Sequence, residues 1–337
     1  MIDNNLLLKL IKTSNNIAIF SHITPDADAL CSAFALKNLI NNNFDLKYVD
    51  VFMDGQIGDL YEPIMRNEVI NPEPLKSYDL AFVLDCPNLQ RLGKYEEMAS
   101  NIPNIVNIDH HATNSRFGNL NYVTKLLSST CEILYWIAKG KRLELNNLIA
   151  KELYQGIITD TNCFTSIAIN PKTHKAASEL LTYKFDAEMI KNHYFKNNSE
   201  RKSKLLTKAL QSMKFYNNGL FTTMKIDYDT FKEVEASFED TLGIIDNGMN
   251  ISNSEVSAIL IENQPQYIHC SLRSRGDINV GEIAKNNFNG GGSQSQAAFQ
   301  SHGNINDLEK HVVLAISPKL PDDTPVQQDI DEMDLLF

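Results

Sequence analysis

Histidine and aspartate side chains follow four apolar segments of this sequence. Three segments have the length of a strand, and the fourth reads as a helix. A carboxylate at the end of a buried strand is costly unless a counter-charge or a cation pairs with it. Imidazole and carboxylate groups together are ligands that suit borderline divalent ions, and Mn²⁺ is the first choice here. The residues concerned are His22, Asp26, Asp28, Asp85, Asp109, His110, His111 and Asp160.

A simpler interpretation exists for each of these residues taken alone. Asp26 and Asp28 could cap a helix that starts near Ala29, and any single aspartate could be a solvated loop residue. The carboxyl ends of parallel strands share one edge of a sheet, however, so we expect the groups to converge there. Two ions at such a site could clamp a phosphoryl group, provided that one carboxylate bridges them. Asp85, alone at a strand end, is the candidate bridge.

The elements that must position these residues alternate between strand and helix in the first half of the chain. This alternation predicts an α/β fold in which a mostly parallel sheet is flanked by helices. Strands are predicted at 16–20, 45–52, 80–84 and 104–108, and helices at Ala29–Leu39, 128–139 and 146–159. The second half predicts helix over about 171–215, and then a smaller α+β domain. Its features are strands at 220–226, 254–261 and 267–272 and a glycine-rich loop at 289–293.

Four segments follow from these patterns. They are a metal-binding catalytic domain at 1–190, a helical linker at 191–217, a substrate-binding domain at 218–318 and an acidic tail at 319–337. The tail is rich in Pro and Asp, and we expect it to be disordered. Its alternation of acidic and apolar residues could dock a partner, although a plain solvated tail has the same composition.

Composition and charge exclude several classes of protein. The formal net charge of −11 argues against an extended nucleic acid duplex as ligand, because such proteins usually present a basic face. The sequence contains neither an apolar run long enough to span a bilayer nor a secretory signal. The five cysteines are scattered and fit free thiols in a reducing compartment. We therefore expect a cytoplasmic protein without a membrane partner, and a homodimer could form.

The four motifs resemble those of the DHH phosphoesterase superfamily, which is named for its Asp-His-His triplet. The resemblance extends over roughly residues 1–315, because Ser271–Ser274 and Asn289–Gly292 are similar to the nucleotide-binding domain that accompanies this core. It implies two divalent metal ions, most simply Mn²⁺, and hydrolysis of short RNA (nanoRNA) or 3′-phosphoadenosine 5′-phosphate (pAp). Hydrolysis of cyclic di-AMP or pApA is the alternative, and inorganic pyrophosphatase activity is a weaker one.

The resemblance also implies a role for individual residues. His111 would contact the scissile phosphate and assist as an acid, and Asp109 would orient the imidazole of a metal ligand. Arg116 would contact phosphate or substrate, whereas Arg91 could do so or form a structural ion pair. One metal ion would be held by His22, Asp26 and Asp85, and the other by Asp28, Asp85, His110 and Asp160. The distal nucleotide would be held by Arg273, Ser274, Gly290, Gly291 and Gly292.

Several positions depart from the family pattern, including Ala27, Cys31 and Asn162 in place of glycine and a changed run at 296–299; two further departures lie close to the predicted sites. Ser293 stands where the family has a histidine after its glycine loop, which leaves the choice of substrate open. Cys86 replaces the usual Ser or Thr after the bridging aspartate, and we interpret it as a buried, inert thiol. A catalytically silent nucleotide-binding protein is the rival hypothesis, although every expected metal ligand is present.

Overall fold

The computed structural model describes residues 6–65, 68–166, 169–196 and 198–321. The chain divides into two compact units, with the boundary between Asn197 and Asn198. None of the described helices combines the length and the apolar character that crossing a bilayer requires.

The first unit is built on a parallel sheet, as the sequence predicts. Among the described residues the strand order is β2-β1-β3-β4-β5. The strands are β1 (Asn16–Phe20), β2 (Tyr48–Phe52), β3 (Leu80–Leu84), β4 (Ile105–Asp109) and β5 (Leu120–Val123). Every residue of β3 is buried, which agrees with its apolar sequence. The sequence analysis missed β5, a short edge strand with only one buried residue and hence little apolar signal.

Helices cover both faces of this sheet. In β1, Ile17 and Ile19 face one apolar core, while Ala18 and Phe20 face another, so the strand is buried on both sides. The helices are α1 (Leu6–Thr13), α2 (Ala27–Asn43), α3 (Glu62–Met65), α4 (Glu96–Ser100), α5 (Thr130–Lys141), α6 (Asn147–Asp160), α7 (Pro171–Leu180) and α8 (Ala187–Phe195). Short 3₁₀ segments precede α3 and α4.

The helix expected over 171–215 is three separate helices. After α7 and α8, α9 spans Glu200–Gln211. The side chains of Asp186 and Ser199 cap the starts of α8 and α9, and such caps favour a new helix over the continuation of the previous one. The prediction of continuous helix is therefore wrong at these two positions.

The second unit is an α+β fold around a mixed sheet. In the described residues the strand order is β10-β11-β9-β8-β7-β6, and only β7 and β8 pair in parallel. The strands are β6 (Lys214–Tyr216), β7 (Phe221–Ile226), β8 (Val256–Gln264), β9 (Tyr267–Ser274), β10 (Gly291–Gly292) and β11 (Gln296–His302). The helices are α9, α10 (Tyr228–Glu233), α11 (Asp246–Met249), α12 (Val280–Phe288) and α13 (Ile305–Ile316).

Both ends of this unit differ from the predicted segments. α9 lies within the predicted linker, yet Leu205 and Ala209 are buried against the apolar residues of β7 and β8. At the other end, Leu320 is buried in the core of the unit, inside the predicted tail. The remaining part of the tail, 322–337, lies outside the described residues.

Candidate metal centre

Neighbouring strands bring the sequence motifs to one edge of the first sheet. β1, β3 and β4 are adjacent and parallel, so the residues that follow them lie side by side. His22 comes two residues after β1, Asp85 directly after β3, and His110 directly after β4. This order explains how positions almost ninety residues apart in the sequence become neighbours.

Asp85 lies at the centre of the group. One carboxylate oxygen, Oδ2, is 3.5 Å from His22 Nε2, and the other, Oδ1, is 3.4 Å from His110 Nε2. The hydroxyl of Thr130 donates to Oδ1 at 3.2 Å. The backbone of Asp85 has a φ of 52°, a conformation that costs free energy for a residue with a Cβ atom. Such strain is often kept where a side chain must point in one direction.

Three groups of potential ligand atoms meet around this carboxylate, and one of them joins Asp85 to the Asp109-His110-His111 triplet. Within each group, one atom from every residue lies within 4.8 Å of the others. Of the other two groups, one consists of His22, Asp26 and Asp85, and the other of Asp28, His110 and Asp160. The structure thus brings together all six side chains that the sequence analysis proposed as metal ligands.

The two aspartates of the first motif have different local roles. Asp26 caps α2, because its carboxylate accepts a hydrogen bond from the Ala29 backbone N–H at 3.0 Å. Capping and proximity to His22 are therefore combined in one residue. Asp28 lies inside the first turn of α2, which starts two residues earlier than predicted.

The N-terminus of α5 holds Asp28 in place, a feature that the sequence analysis missed. The backbone N–H groups of Thr130 and Cys131 donate to the two oxygens of Asp28, at 2.7 and 3.0 Å. A helix N-terminus stabilises a carboxylate through these free donors and its dipole. The capping residue Ser129 marks this helix start in the sequence, but nothing there indicates which anion it faces.

Gly156 of α6 is a second residue that was missed. A Cβ atom at this position would lie 2.2 Å from the Cys131 sulfur and 2.7 Å from Asp28 Oδ1. Only glycine therefore allows α6 to pack this closely, and α6 also carries Asp160 at its end.

The charges of the group favour a bound cation. Burial, and then the charge of Asp85, raises the pKa of the Asp28 carboxyl well above its usual range. Burial also raises the pKa of Asp160, to about 7. Burial acts in the same direction on Asp85, but hydrogen bonds from His110 and His22 outweigh it and lower that pKa. The raised pKa values favour protonated Asp28 and Asp160. A divalent ion would displace those protons, so the residues fit a metal site.

His111 lies beside Asp85, with Nδ1 3.7 Å from Asp85 Oδ1, and has a closer partner in Asp109. The same Nδ1 is 2.7 Å from Asp109 Oδ1, and this hydrogen bond raises the pKa of the imidazole. Asn114 donates to the other oxygen of Asp109 at 2.6 Å. The expectation that Asp109 orients the imidazole of a metal ligand is thus not met, because it contacts the neighbouring ring of His111. That ring is 41% exposed and accessible to a substrate.

Three further residues lie near the site. The Arg116 guanidinium donates to the Val123 carbonyl at 3.0 Å, at the end of the edge strand. The Arg91 guanidinium contacts the Thr24 hydroxyl at 3.4 Å, and within the part of the chain that the structure describes it forms no ion pair with a carboxylate. The Cys86 thiol is buried, and burial raises its pKa to about 12, which agrees with an inert group.

The residues of the second unit that were predicted to bind substrate lie in different environments. Arg273 lies on the open face of β9, with Nε 3.9 Å from Asp246 Oδ1. Ser274 points to the buried face, and its hydroxyl donates to the Ile278 carbonyl at 2.7 Å. Because adjacent strand residues face opposite sides, Ser274 does not share a surface with Arg273, and its contact holds a loop.

The three glycines also differ. A Cβ atom at Gly290 or Gly292 would lie within 2.5 Å of residues in β11, so both positions require glycine for packing. Around Gly291, no atom of the described chain lies within 4 Å of such a Cβ atom. Ser293, the departure from the family pattern, closes the β10–β11 turn through its backbone N–H to the Gln296 carbonyl. The packing leaves Gly291 as the glycine with an open side.

Comparison with known proteins agrees with this geometry. The model of the DHH family, N-terminal domain, matches residues 16–158. The chain is 29% identical over 287 residues to the probable bifunctional oligoribonuclease and PAP phosphatase NrnA of Streptococcus mutans, covering 85% of this chain and 89% of the relative. It is 30% identical over 305 residues to protein MG371 of Mycoplasma genitalium, covering 86% and 88%.

A solved structure shares the fold. The exopolyphosphatase-related protein from Bacteroides fragilis superposes with a TM-score of 0.84 at 23% sequence identity, covering 93% of this chain and 94% of that protein. With its Asp109-His110-His111 triplet beside the converging aspartates, and with these relatives along most of its length, the chain belongs to the DHH family.

Proposed function

We propose that this chain is a metal-dependent phosphoesterase that hydrolyses short oligoribonucleotides and pAp. The observation that carries the proposal is the position of Asp85, which belongs to the ligand group of His22 and also lies 3.4 Å from His110 of the other proposed ligand set. A carboxylate placed between two ligand sets is what a pair of closely spaced ions requires. The name of the Streptococcus mutans relative supports the substrate class.

The expected cofactor is a pair of divalent ions, with Mn²⁺ as first choice. Two imidazoles among carboxylates suit Mn²⁺ better than Mg²⁺, which prefers oxygen ligands and retains water. His22, Asp26 and Asp85 would hold one ion, and Asp28, Asp85, His110 and Asp160 the other. Bound ions would polarise the phosphoryl group and acidify the attacking water.

His111 would supply the proton that the leaving oxygen needs. Its Nδ1 is engaged by Asp109, so Nε2 is the atom free to face a substrate. The same contact raises the pKa of the ring and keeps it protonated at higher pH, as an acid requires. Asp109 and Asn114 then act by holding the ring in one orientation.

A substrate panel tests the proposal. The full chain would be incubated with Mn²⁺ and RNA of two to five nucleotides, pAp, pApA or cyclic di-AMP, and the products would be separated by chromatography. We expect mononucleotides from RNA and AMP from pAp. Turnover of cyclic di-AMP or pApA alone would instead identify the enzyme as a phosphodiesterase of those dinucleotides. Turnover of nothing would support a silent nucleotide-binding protein.

A second experiment concerns the nucleotide-binding role of Arg273. Replacing it with Ala should lower kcat/KM for dinucleotides more than for bis(p-nitrophenyl) phosphate, which offers no distal nucleotide. Lys285→Ala, which removes an exposed cation from α12 of the same unit, is the matched control. Equal losses on both substrates would contradict the role of Arg273.

A further inference from the structure

One face of the second-unit sheet carries a row of partly exposed aromatic rings at β9 and β11. In β9 the burial alternates, so Tyr267, His269 and Arg273 lie on the exposed side of the strand. In β11 the exposed side carries Gln300 and His302, which pair with His269 and Tyr267 across the ladder. The larger apolar core of the unit lies on the other face of both strands, whereas a second core, which includes Ile259 and Ile261 of the neighbouring β8, lies on the same face as His269.

The rings are close enough to form one surface. The centroid of Tyr267 is 4.9 Å from that of His269 and 5.1 Å from that of His302. Phe238 completes the row, because its ring lies 4.6 Å from the ring of His269. We call these four residues, Phe238, Tyr267, His269 and His302, the aromatic platform.

Packing does not account for the aromatic platform. Phe238 is 41% exposed, His302 is exposed and the other two rings are only half-buried. A single exposed ring is ordinary, but four adjacent rings on one sheet face form a patch that usually has a ligand. Burial lowers the pKa of His269, which keeps this ring neutral and apolar at pH 7.

The aromatic platform continues the surface of Arg273. Along β9, His269 is four residues from Arg273 and Tyr267 is six, which corresponds to about 13 and 20 Å. Exposed aromatic residues on a sheet are also how several RNA-binding domains stack successive bases. Stacking needs no positive charge, so it is compatible with the acidic Asp246 beside Arg273.

We propose that the aromatic platform stacks the bases of a short single-stranded RNA that extends beyond the nucleotide held near Arg273. This inference rests on the proposed function and deepens it. Oligonucleotides of several residues reach the platform, whereas pAp and dinucleotides are too short to do so. The chain is therefore adapted to oligonucleotides, with pAp as a substrate that uses only part of the binding surface.

Binding measurements separate the aromatic platform from the rest of the site. The full chain with Mn²⁺ would be titrated calorimetrically with phosphorothioate RNA of two and of five nucleotides, and with pAp. We expect the pentanucleotide to bind more tightly than the dinucleotide. The variant Tyr267→Thr should lose roughly tenfold in affinity for the pentanucleotide, because one stacked base contributes about that much. Affinity for pAp and for the dinucleotide should stay unchanged.

Three controls make the result specific. Tyr267→Phe keeps the ring and should keep the affinity for the pentanucleotide. Tyr48→Thr removes an exposed strand tyrosine from the first unit and should change nothing. His302→Ala tests a second ring of the platform and should weaken pentanucleotide binding in the same direction as Tyr267→Thr.

Two results would overturn the inference. One is equal affinity of the unmodified chain for both RNA lengths, and the other is an equal loss for both in Tyr267→Thr. Turnover of RNA dinucleotides and pAp, measured in the same preparations, reports on the proposed function separately. A protein that hydrolyses both substrates but shows no advantage for the pentanucleotide would refute the aromatic platform alone.

Discussion

Asp85 shows how much of this site depends on single side chains. It is buried, has a positive φ and lies between two imidazoles. Asparagine tolerates the same backbone conformation and has nearly the same shape, so Asp85→Asn removes the charge and little else. The variant therefore separates the role of the charge from that of the fold.

For Asp85→Asn we expect a protein that folds but falls at least roughly 100- to 1,000-fold in turnover, because charge stabilisation at the phosphoryl group is lost. Turnover of pAp and metal content by mass spectrometry would be measured, with near-ultraviolet circular dichroism as the control for folding. Full activity with two ions still bound per chain would contradict the bridging role.

Gly156 and Gly140 of the first unit allow a controlled comparison of two glycine-to-alanine substitutions. Gly156→Ala should cost about 1–3 kcal/mol and weaken metal binding, because the new methyl group presses on Asp28 and Cys131. Gly140→Ala in α5 meets no atom of the described chain within 4 Å and should stabilise its helix by about 0.5–1 kcal/mol. Urea unfolding measures the change in stability of both variants, and titration with Mn²⁺ measures the change in metal affinity. A Gly156→Ala protein with unchanged stability and unchanged Mn²⁺ affinity would contradict the close packing of α6 against Asp28 and Cys131.

At the scale of elements, each unit uses one helix to fix a charged group against its sheet. In the first unit, the N-terminus of α5 holds Asp28. In the second, α13 carries Glu309, which is 3% exposed and bonded to Lys214, Lys225 and Thr223 at 2.7 to 2.9 Å. Burial alone would raise the pKa of Glu309, but these three contacts outweigh it and lower the pKa.

The lowered pKa of Glu309 predicts a pH-dependent contribution to stability. The contribution is fully present above the ordinary glutamate pKa of about 4.3 and is lost as the pH falls through the lower folded value. Glu309→Gln should therefore destabilise the protein by roughly 2–3 kcal/mol at pH 7, and by progressively less below pH ~4. Thermal unfolding across pH 3–7 measures this difference.

An exposed ion pair supplies the control for Glu309. Glu200 and Lys204 interact across one turn of α9 with both side chains largely exposed, so solvent screens the pair and Glu200→Gln should leave the free energy of unfolding almost unchanged. A Glu309 variant that resembles this control at pH 7 would contradict the structural role of the buried network.

At the scale of the whole molecule, the two units divide the work. Every proposed metal ligand comes from residues before 198, and the apolar cores of the two units are separate. Arg273 and Gly291, which we propose bind the nucleotide, and the aromatic platform all belong to the second unit. Each unit thus has the core that independent folding requires.

A fragment of residues 1–197 tests this division. It should unfold cooperatively, bind Mn²⁺ and keep most of its activity on bis(p-nitrophenyl) phosphate, because it contains all proposed ligands. Its kcat/KM for dinucleotides should fall more steeply than that for the simple ester. A folded fragment that binds no metal would place an essential ligand in the second unit.

Three predictions are confirmed: the alternation of strands and helices predicted the parallel sheet, the strands of the second half predicted an α+β unit, and the motifs resembled the DHH family. These features are local, since strand length, alternation and the residue after a strand are visible in a short window. The strand ends predicted that Asp and His side chains would converge at one edge, and the resemblance to the DHH superfamily indicated which six of them to propose as metal ligands.

Only the tertiary structure decided what lies beside those residues. That α5 holds Asp28, that Gly156 admits α6, that Asp109 contacts His111, and that four rings form one surface all depend on contacts between distant segments. No local pattern encodes such a contact, because a side chain's partner is set by how whole elements pack. The sequence alone thus indicated the kind of chemistry, and packing determined which residues hold the proposed ligands in place and which aromatic rings lie side by side.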